Sequence, residues 1–377
     1  MGGVEDDPGK RKGSVMRKKI GILTFHYVAN YGAVLQCYAL QTYLQGHGYE
    51  VEVINYKPWK NEDSIYNFFR FWKFKNFTGY VLNRKREKAL RVFRKERLAI
   101  GEEPLRTMRD VQRHVKGVDV LISGSDQVFT PSALLYSEAY GGKGSPCPVY
   151  FLGFPFSGKK IAYAVSCGVT QYPEPQLSLA REYIHSFDKI SVRENSGVDI
   201  VAAMGRTDAV LVPDPTFLHA PSFYHAIADL RGEASRKSYV YNFFIRDIEC
   251  MRNMIANVHS HKEMLWNNDD DEYSMEGWLN KIKYADFVIT DSFHCMVMCL
   301  KLHTPFAVIT KLKGKVGMND RFYTILELLG MEQRIVYKDN MQAVENKIKS
   351  PEPVRWEQVD EKLAEYAQVG ARFLDCL

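Results

Sequence analysis

KKIGILTFHYVANYGAVLQCYALQTYLQGHGYEVEVINY, residues 18–56, opens with a short apolar run that reaches the polar turn HYVANYG. A helical period follows, carrying Leu35, Tyr38, Ala39 and Leu44 on one side, and Gly46 or Gly48 ends it. The apolar run EVEVINY comes next. Strand, helix and strand make a βαβ unit, and strands that alternate with helices predict a parallel sheet.

The alternation continues outward. Strands are expected at VDVLISG (118–124), KKIAYAVSCG (159–168), DKISVRE (188–194) and DAVLVPDP (208–215), which completes one Rossmann-like layer. A second layer begins at SYVYNFFI (238–245) and runs through KEMLW (262–266), ADFVITDS (285–292) and TPFAVIT (304–310). At 377 residues the chain exceeds what one core ordinarily supports. The expected architecture is therefore α/β with two Rossmann-like domains, residues 18–220 and 221–350. Pro221, Gly232 and mixed charge mark the boundary. Residues 351–377 end in an amphipathic stretch, expected to be a helix crossing back onto the first domain. Residues 1–17 are charged and glycine-bearing rather than apolar, unlike a secretory signal; with Met16 as a natural start, they are expected to be disordered or added.

Hydrophobic residues at 46% and charged residues at 25% fit a globular chain, and no run of about eighteen apolar residues predicts a membrane span. A net charge of +5, with no recognisable nucleic-acid module, gives no support to nucleic-acid binding. Seven cysteines, an odd number without a CxxC, suggest reduced thiols and a cytoplasmic location. Cys295 and Cys299 could meet a metal with His294 or His303, but thiols in an apolar helix ordinarily act as small hydrophobes. Neither metal nor cofactor is expected.

Charge gathers in an insertion, residues 57–116. From Arg70 to Arg97 there are eleven Lys or Arg against two Glu, interleaved with Phe71, Trp72, Phe74, Phe77, Tyr80 and Phe93. Such a helix suits an anionic surface, either membrane headgroups or a phosphate-rich ligand. The competing account is a solvated helical pair whose aromatics pack on the sheet under lysine and arginine stems. Peripheral docking at the inner membrane face would use Arg84, Lys85, Arg86 and Lys88.

Open parallel sheets bind ligands beyond the carboxyl ends of their strands. Asn30, Tyr31 and Gly32 stand there, entering a helix whose free N–H groups can hold an anion. The three-glycine dinucleotide fingerprint is missing, so an NAD role is not supported. In Gly124-Ser125-Asp126-Gln127, Asp126 is either a base facing a hydroxyl or, with Ser125, a helix cap. Arg193 is placed to clamp a carboxylate or phosphate, or to pair internally with Glu194. His294, in the first turn of a helix after Asp291 and Ser292, feels a dipole that keeps the ring neutral and able to accept a proton. Gly314, Gly317, Asn319 and Arg321, with Lys311, Lys313 and Lys315 nearby, form a second candidate phosphate cradle.

NYGAVLQCYALQ, GSDQVF, ISVRE, VPDPTFL, TDSFHC and NDRF, in this order across about residues 18–340, resemble the polysaccharide pyruvyl transferase family. The resemblance implies a GT-B-like pair of domains facing a cleft, with no obligatory metal. It implies transfer of the enolpyruvyl carbons of phosphoenolpyruvate, as co-substrate, onto two hydroxyls of a sugar in a bacterial exopolysaccharide, capsule or precursor. His294 would be the acid or base at the donor, Arg193 its clamp, and Asp126 would face the acceptor hydroxyl. Ser292, Lys313, Asn319 and Arg321 would line the donor side, and Asn30, Tyr31, Gly32 and Gln127 the acceptor side. The chain departs from the pattern at Ser292, where relatives often carry arginine, so phosphate must meet Lys311, Lys313 or Arg321, or the donor must differ. A nucleotide-sugar glycosyltransferase and a non-catalytic sugar-binding protein remain alternatives. The acceptor is a nucleotide-linked sugar, a lipid-linked sugar or a glycan.

Overall fold

Every apolar run read as a strand lies in one of two parallel sheets of the computed structural model, which describes residues 17–58, 77–135, 147–232, 238–258, 260–269, 272–375 and 377. The first half runs β1 (Lys19–Leu23), α1 (Tyr31–Gly46), β2 (Glu50–Val53), α2 (Phe77–Arg97), α3 (Met108–His114), β3 (Val120–Ser123), β4 (Lys159–Val165), α4 (Glu174–Ile184), β5 (Lys189–Val192), α5 (Asn195–Ala203) and β6 (Val210–Leu211). Its strands lie in the order β2-β1-β3-β4-β5-β6. The second half runs α6 (Pro221–Asp229), β7 (Tyr239–Phe243), α7 (Ile248–Ile255), β8 (Glu263–Trp266), α8 (Met275–Lys283), β9 (Phe287–Thr290), α9 (Phe293–Lys301), β10 (Phe306–Thr310), α10 (Asp320–Leu329), β11 (Ile335–Tyr337), α11 (Met341–Lys349) and α12 (Trp356–Leu374). Its order is β11-β10-β9-β7-β8. Strand β11, three residues long, was not anticipated; so short an apolar run gives little periodicity to detect.

Local chemistry fixes where the helices start. The Asn30 side chain accepts from the Ala33 N–H at 3.2 Å and begins α1, while Thr107 and Asp110 close a capping box on α3. Ser292 caps α9, whose nine residues are all buried. That burial follows from position: α9 lies in a core holding Tyr31, Val34 and Leu35 of α1 together with Met275, Trp278 and Phe322 of the second half. The ring of Tyr31 stacks on Trp278 with centroids 4.9 Å apart. The first helix of one domain is thus packed into the apolar interior of the other.

The insertion contributes α2 and α3. Phe71, Trp72 and Phe74 lie outside the described residues, as does the side chain of Phe77. Phe93 is buried and meets the Tyr38 ring edge-on at 5.4 Å, which favours the packing account for that aromatic. Among the described residues, no helix is long and apolar enough to cross a membrane.

The last helix, α12, touches both halves. Val359 and Leu363 enter the shared core, whereas Leu374 and Leu377 pack beside Ile20, Ile22 and Tyr163 of the first sheet. Gly370 lets it approach: a Cβ there would stand 2.5 Å from the Tyr163 hydroxyl and 2.9 Å from Pro213. Tyr163 cannot swing aside without losing its bond to the Pro213 carbonyl at 3.2 Å. Gly370→Ala gains about 1 kcal/mol of helix propensity but is expected to lose net stability, because overpacking costs about 1–3 kcal/mol. Urea unfolding checks this, and a net gain would mean that the helix end slides freely.

Candidate active site

The carboxyl ends of β3, β5 and β6 converge on Arg193, whose side chain has no exposed surface. Its guanidinium meets three carboxylates: Nη2 is 3.2 Å from Asp126, Nη1 is 3.1 Å from Asp214, and Nε is 3.4 Å from Glu194. Burial alone would make this arginine easier to deprotonate, but the three carboxylates outweigh it and raise its pKa. Arg193 was expected either to clamp the donor or to pair internally with Glu194, and the second arrangement is the one present. Its nitrogens hold the strand ends together, so in this arrangement they are not offered to a ligand.

Asp214 is the most heavily bonded of the three. One oxygen accepts from the Thr216 N–H at 3.0 Å and the Thr216 hydroxyl at 2.7 Å; the other accepts from the Ser125 hydroxyl at 2.7 Å and from Arg193. Burial would raise its pKa, yet the neighbouring His294 ring, Arg193 and Thr216 hold it well below the usual carboxylate range. His294 comes from the second domain and brings Nε2 to 3.4 Å from Asp214, close but outside hydrogen-bond geometry. The helix dipole is therefore not the only field on this ring, because an ionised carboxylate faces it. Ser292, expected beside the donor, has its hydroxyl committed to the Cys295 N–H at 3.4 Å as the cap of α9.

Tyr31 and Gly32, expected on the acceptor side, serve the domain interface. The Tyr31 hydroxyl donates to the Tyr273 carbonyl at 3.0 Å, and a Cβ on Gly32 would collide with the His294 imidazole. Asn30 is exposed, with its side chain bonded to the α1 cap. Gln127 reaches Met318 across the interface at 3.3 Å. Asp126 has φ 77°, a strained left-handed conformation for a non-glycine residue, and caps no helix. Of the carboxylates around Arg193 its side chain is the most exposed, 16% against 6% and none, so it is the one that can reach an incoming group.

The loop after β10 divides its cations. Lys311 pairs with Asp247, Lys315 pairs with Glu327 at 2.7 Å, and Lys313 lies over the Tyr337 ring. Asn319 bonds the Leu312 and Gly314 carbonyls and holds the loop's shape. Arg321 differs from all of these. It is buried, has no ion-pair partner among the described residues, and its Nε meets no hydrogen-bond acceptor. Burial first, and the charge of Arg193 second, lower its pKa to about 10, which leaves it cationic at neutral pH. It shares a small cavity with Ser166, Glu194 and Ser196, and the Glu194 carboxyl there is shifted upward by burial. Beside it, the Asp320 carboxylate accepts from the Ser196 N–H at 2.8 Å in the first turn of α5. Among the described residues no cluster of His, Cys, Asp and Glu could hold a metal ion.

Asp214, within VPDPTFL, is a site residue that the sequence signals only as an acid just past a strand end, between two prolines. Glu194 was weighed only as a partner of Arg193.

Three outcomes follow from this geometry. Arg193→Met strands three carboxylates and is expected to cost about 3–5 kcal/mol by urea unfolding at pH 7; a loss below about 1 kcal/mol would contradict the ion-pair account. In the wild type, the depressed pKa of Asp214 contributes stability that is present above its unfolded value near ~3.9 and is lost as pH falls towards its folded value. Gly32→Ala is expected to push His294 off Asp214, read as a displaced His294 imidazole cross-peak by NMR at fixed pH; an unmoved cross-peak would mean that the ring does not rest on α1.

The chain is similar in fold to solved sugar-nucleotide enzymes. A UDP-GlcNAc 2-epimerase from Neisseria meningitidis, bound to UDP-GlcNAc, is 9% identical, with 95% of this chain and 99% of that one covered and a TM-score of 0.52. One from Methanocaldococcus jannaschii, in complex with UDP-GlcNAc and UDP, is 10% identical over 95% and 100%, with a TM-score of 0.46. A glycosyltransferase from Streptomyces nogalater is 10% identical over 95% and 98%, with a TM-score of 0.41. The two-domain α/β fold is that of the GT-B enzymes. None of the curated proteins compared with the chain matches it. A sequence model of one family matches residues 30–310, a span that contains Asp126, Arg193, Asp214 and His294, and the chain belongs to that family, the polysaccharide pyruvyl transferases.

Proposed function

We propose that the protein transfers the pyruvyl group of phosphoenolpyruvate to two hydroxyls of a sugar in a bacterial surface polysaccharide or its precursor, forming a cyclic ketal in the cytoplasm or at the inner membrane face. The observation that carries this reading is Arg321, a buried cation near the Asp126 and Glu194 carboxylates but in ion-pair contact with none among the described residues, its Nε without an acceptor, beside a histidine–carboxylate pair. Such a charge is costly unless an anion answers it, and phosphoenolpyruvate brings both a phosphate and a carboxylate. Arg321 also supplies the cation that the family pattern would place at Ser292. Phosphate would approach the first turn of α5, where the Asp320 carboxylate now sits. The cavity beside Arg321 holds only about 10 Å³, so donor entry requires the start of α10, which carries Arg321, and the turn before it to move off the first domain.

The reaction balances with residues of this site. His294, in its protonated form, gives a proton to the enol methylene, which becomes a methyl group. The cationic carbon that results is attacked by the first sugar hydroxyl, whose proton passes to Asp126. The second hydroxyl attacks the same carbon as the carbon–phosphate oxygen bond breaks, and its proton leaves with the phosphate. Asp214 orients the ring throughout, and Gly32 gives it a seat.

Phosphate release from phosphoenolpyruvate, measured across a panel of linked sugars, tests the reading. Acceptor-dependent release is expected in the wild type. Arg321→Met should raise KM for phosphoenolpyruvate by roughly 10- to 100-fold, the worth of a charge-assisted contact, while His294→Ala should chiefly lower kcat. No release with any acceptor, together with no calorimetric binding of phosphoenolpyruvate, would overturn it.

A further inference from the structure

A larger cavity, of about 560 Å³, opens beyond the carboxyl ends of β1 and β2 under the flank of α2. Its volume lies within the ~300–1,000 Å³ range of small-ligand sites. Lys57, Arg91, Arg94 and Lys95 line it against Glu87 and Glu102, leaving two positive charges in excess. Arg94 is 7% exposed and pairs with Glu87, but its Nη1 is buried without a hydrogen-bond partner. Among the described residues, Lys57, Arg91 and Lys95 have no ion-pair partner. An excess of two positive charges in a walled cavity is the complement of a diphosphate diester.

His26 forms part of the wall. Burial above all lowers its pKa to about 4, so the ring is neutral at physiological pH. It faces oxygen acceptors on both sides, the Thr24 carbonyl at 3.1 Å and the Asn55 side-chain oxygen at 3.3 Å, and a neutral ring has one N–H for the two. Asn55 cannot turn its amide towards the ring without losing its bond to the Gly101 carbonyl at 2.7 Å. One hydroxyl donor from a ligand would relieve that conflict. A hydrogen-bonded chain links its wall to the candidate site: His26 meets the Thr24 carbonyl at 3.1 Å, the Thr24 hydroxyl donates to the Ser125 carbonyl at 2.8 Å, and the Ser125 hydroxyl to Asp214 at 2.7 Å.

We propose that this cavity holds the carrier of the acceptor, so that the sugar to be modified is presented as a diphosphate-linked species. The proposal rests on the transfer reading above and names its acceptor class. Diphosphate oxygens lie among Lys57, Arg91, Arg94 and Lys95, and a sugar hydroxyl meets His26. The carrier beyond the diphosphate is either a nucleoside or a polyprenyl chain.

Calorimetry on the whole chain with inorganic pyrophosphate, UDP and geranyl diphosphate tests this without phosphoenolpyruvate, so its failure is separate from failure of the donor reading. Pyrophosphate should bind the wild type, and the triple variant Lys57→Gln, Arg91→Gln, Lys95→Gln, with its fold verified by circular dichroism, should weaken binding roughly tenfold or more. The part of that binding lost in the triple variant should be unchanged in Arg321→Met. Tighter binding of UDP than of pyrophosphate would identify a nucleotide carrier, and tighter binding of geranyl diphosphate a lipid one; either supports the proposal. No pyrophosphate binding at millimolar concentration, or binding insensitive to the triple variant but lost in Arg321→Met, would overturn it.

Discussion

A guanidinium with no exposed surface is tenable here because Asp126, Glu194 and Asp214 surround it, each brought by a different turn at the carboxyl end of the first sheet. Removing a charged group from water costs several kcal/mol, so each of these groups depends on the others for its place. That mutual dependence has a geometric result. It fixes the ends of β3 and β5 and the turn after β6 relative to one another, where a loop-borne site would be free to drift. The same Asp214 oxygen that receives Arg193 also faces His294, so the cluster that organises one domain sets the position of a side chain belonging to the other.

The domain interface is equally specific. Tyr31 stacked on Trp278, and the bare backbone of Gly32 under the imidazole, bring α1 into the core of the second half. Interfaces between mobile domains are ordinarily more polar than this. Opening of the site is therefore more economical at the turn before α10 and that helix's first turn, where Met318 and Asp320 are hydrogen-bonded to the first domain, than by separating the apolar faces of α1 and α9.

What could be read in the sequence follows from the range of the interactions involved. The strands were legible because their apolar runs are local and each is bounded by a turn. The strand-end rule also led to Asp126, Arg193 and His294, which the structure brings together. The roles of Tyr31, Gly32 and Arg193 were not legible, because each depends on a partner distant in sequence: Trp278, His294 and Asp214. The carboxylate facing His294 was missed for the same reason, since a helix dipole is visible locally and Asp214, eighty residues upstream, is not. His26 stood in a quoted turn without attracting notice, for a lone histidine gains meaning only when Asn55 and Arg94 are seen beside it.

The departure at Ser292 has its own physical logic. Relatives often place a cation there, but in this chain the residue is the N-cap of a nine-residue helix that is buried along its whole length. A buried helix end without a cap loses roughly 1 kcal/mol or more, and here that end carries His294 on its second residue. An arginine at 292 would bring charge to the donor while loosening the base of the histidine. With serine at that position the cap is kept, and the charge comes from Arg321, which reaches the same space from a different element and stacks on the Phe293 ring between them. Arg193 lies over that ring too, at 5.1 Å. One aromatic ring thus spaces two guanidiniums, Arg193 paired with its carboxylates and Arg321 without an ion pair among the described residues, and on the donor reading proposed above the anion would meet Arg321 rather than Arg193.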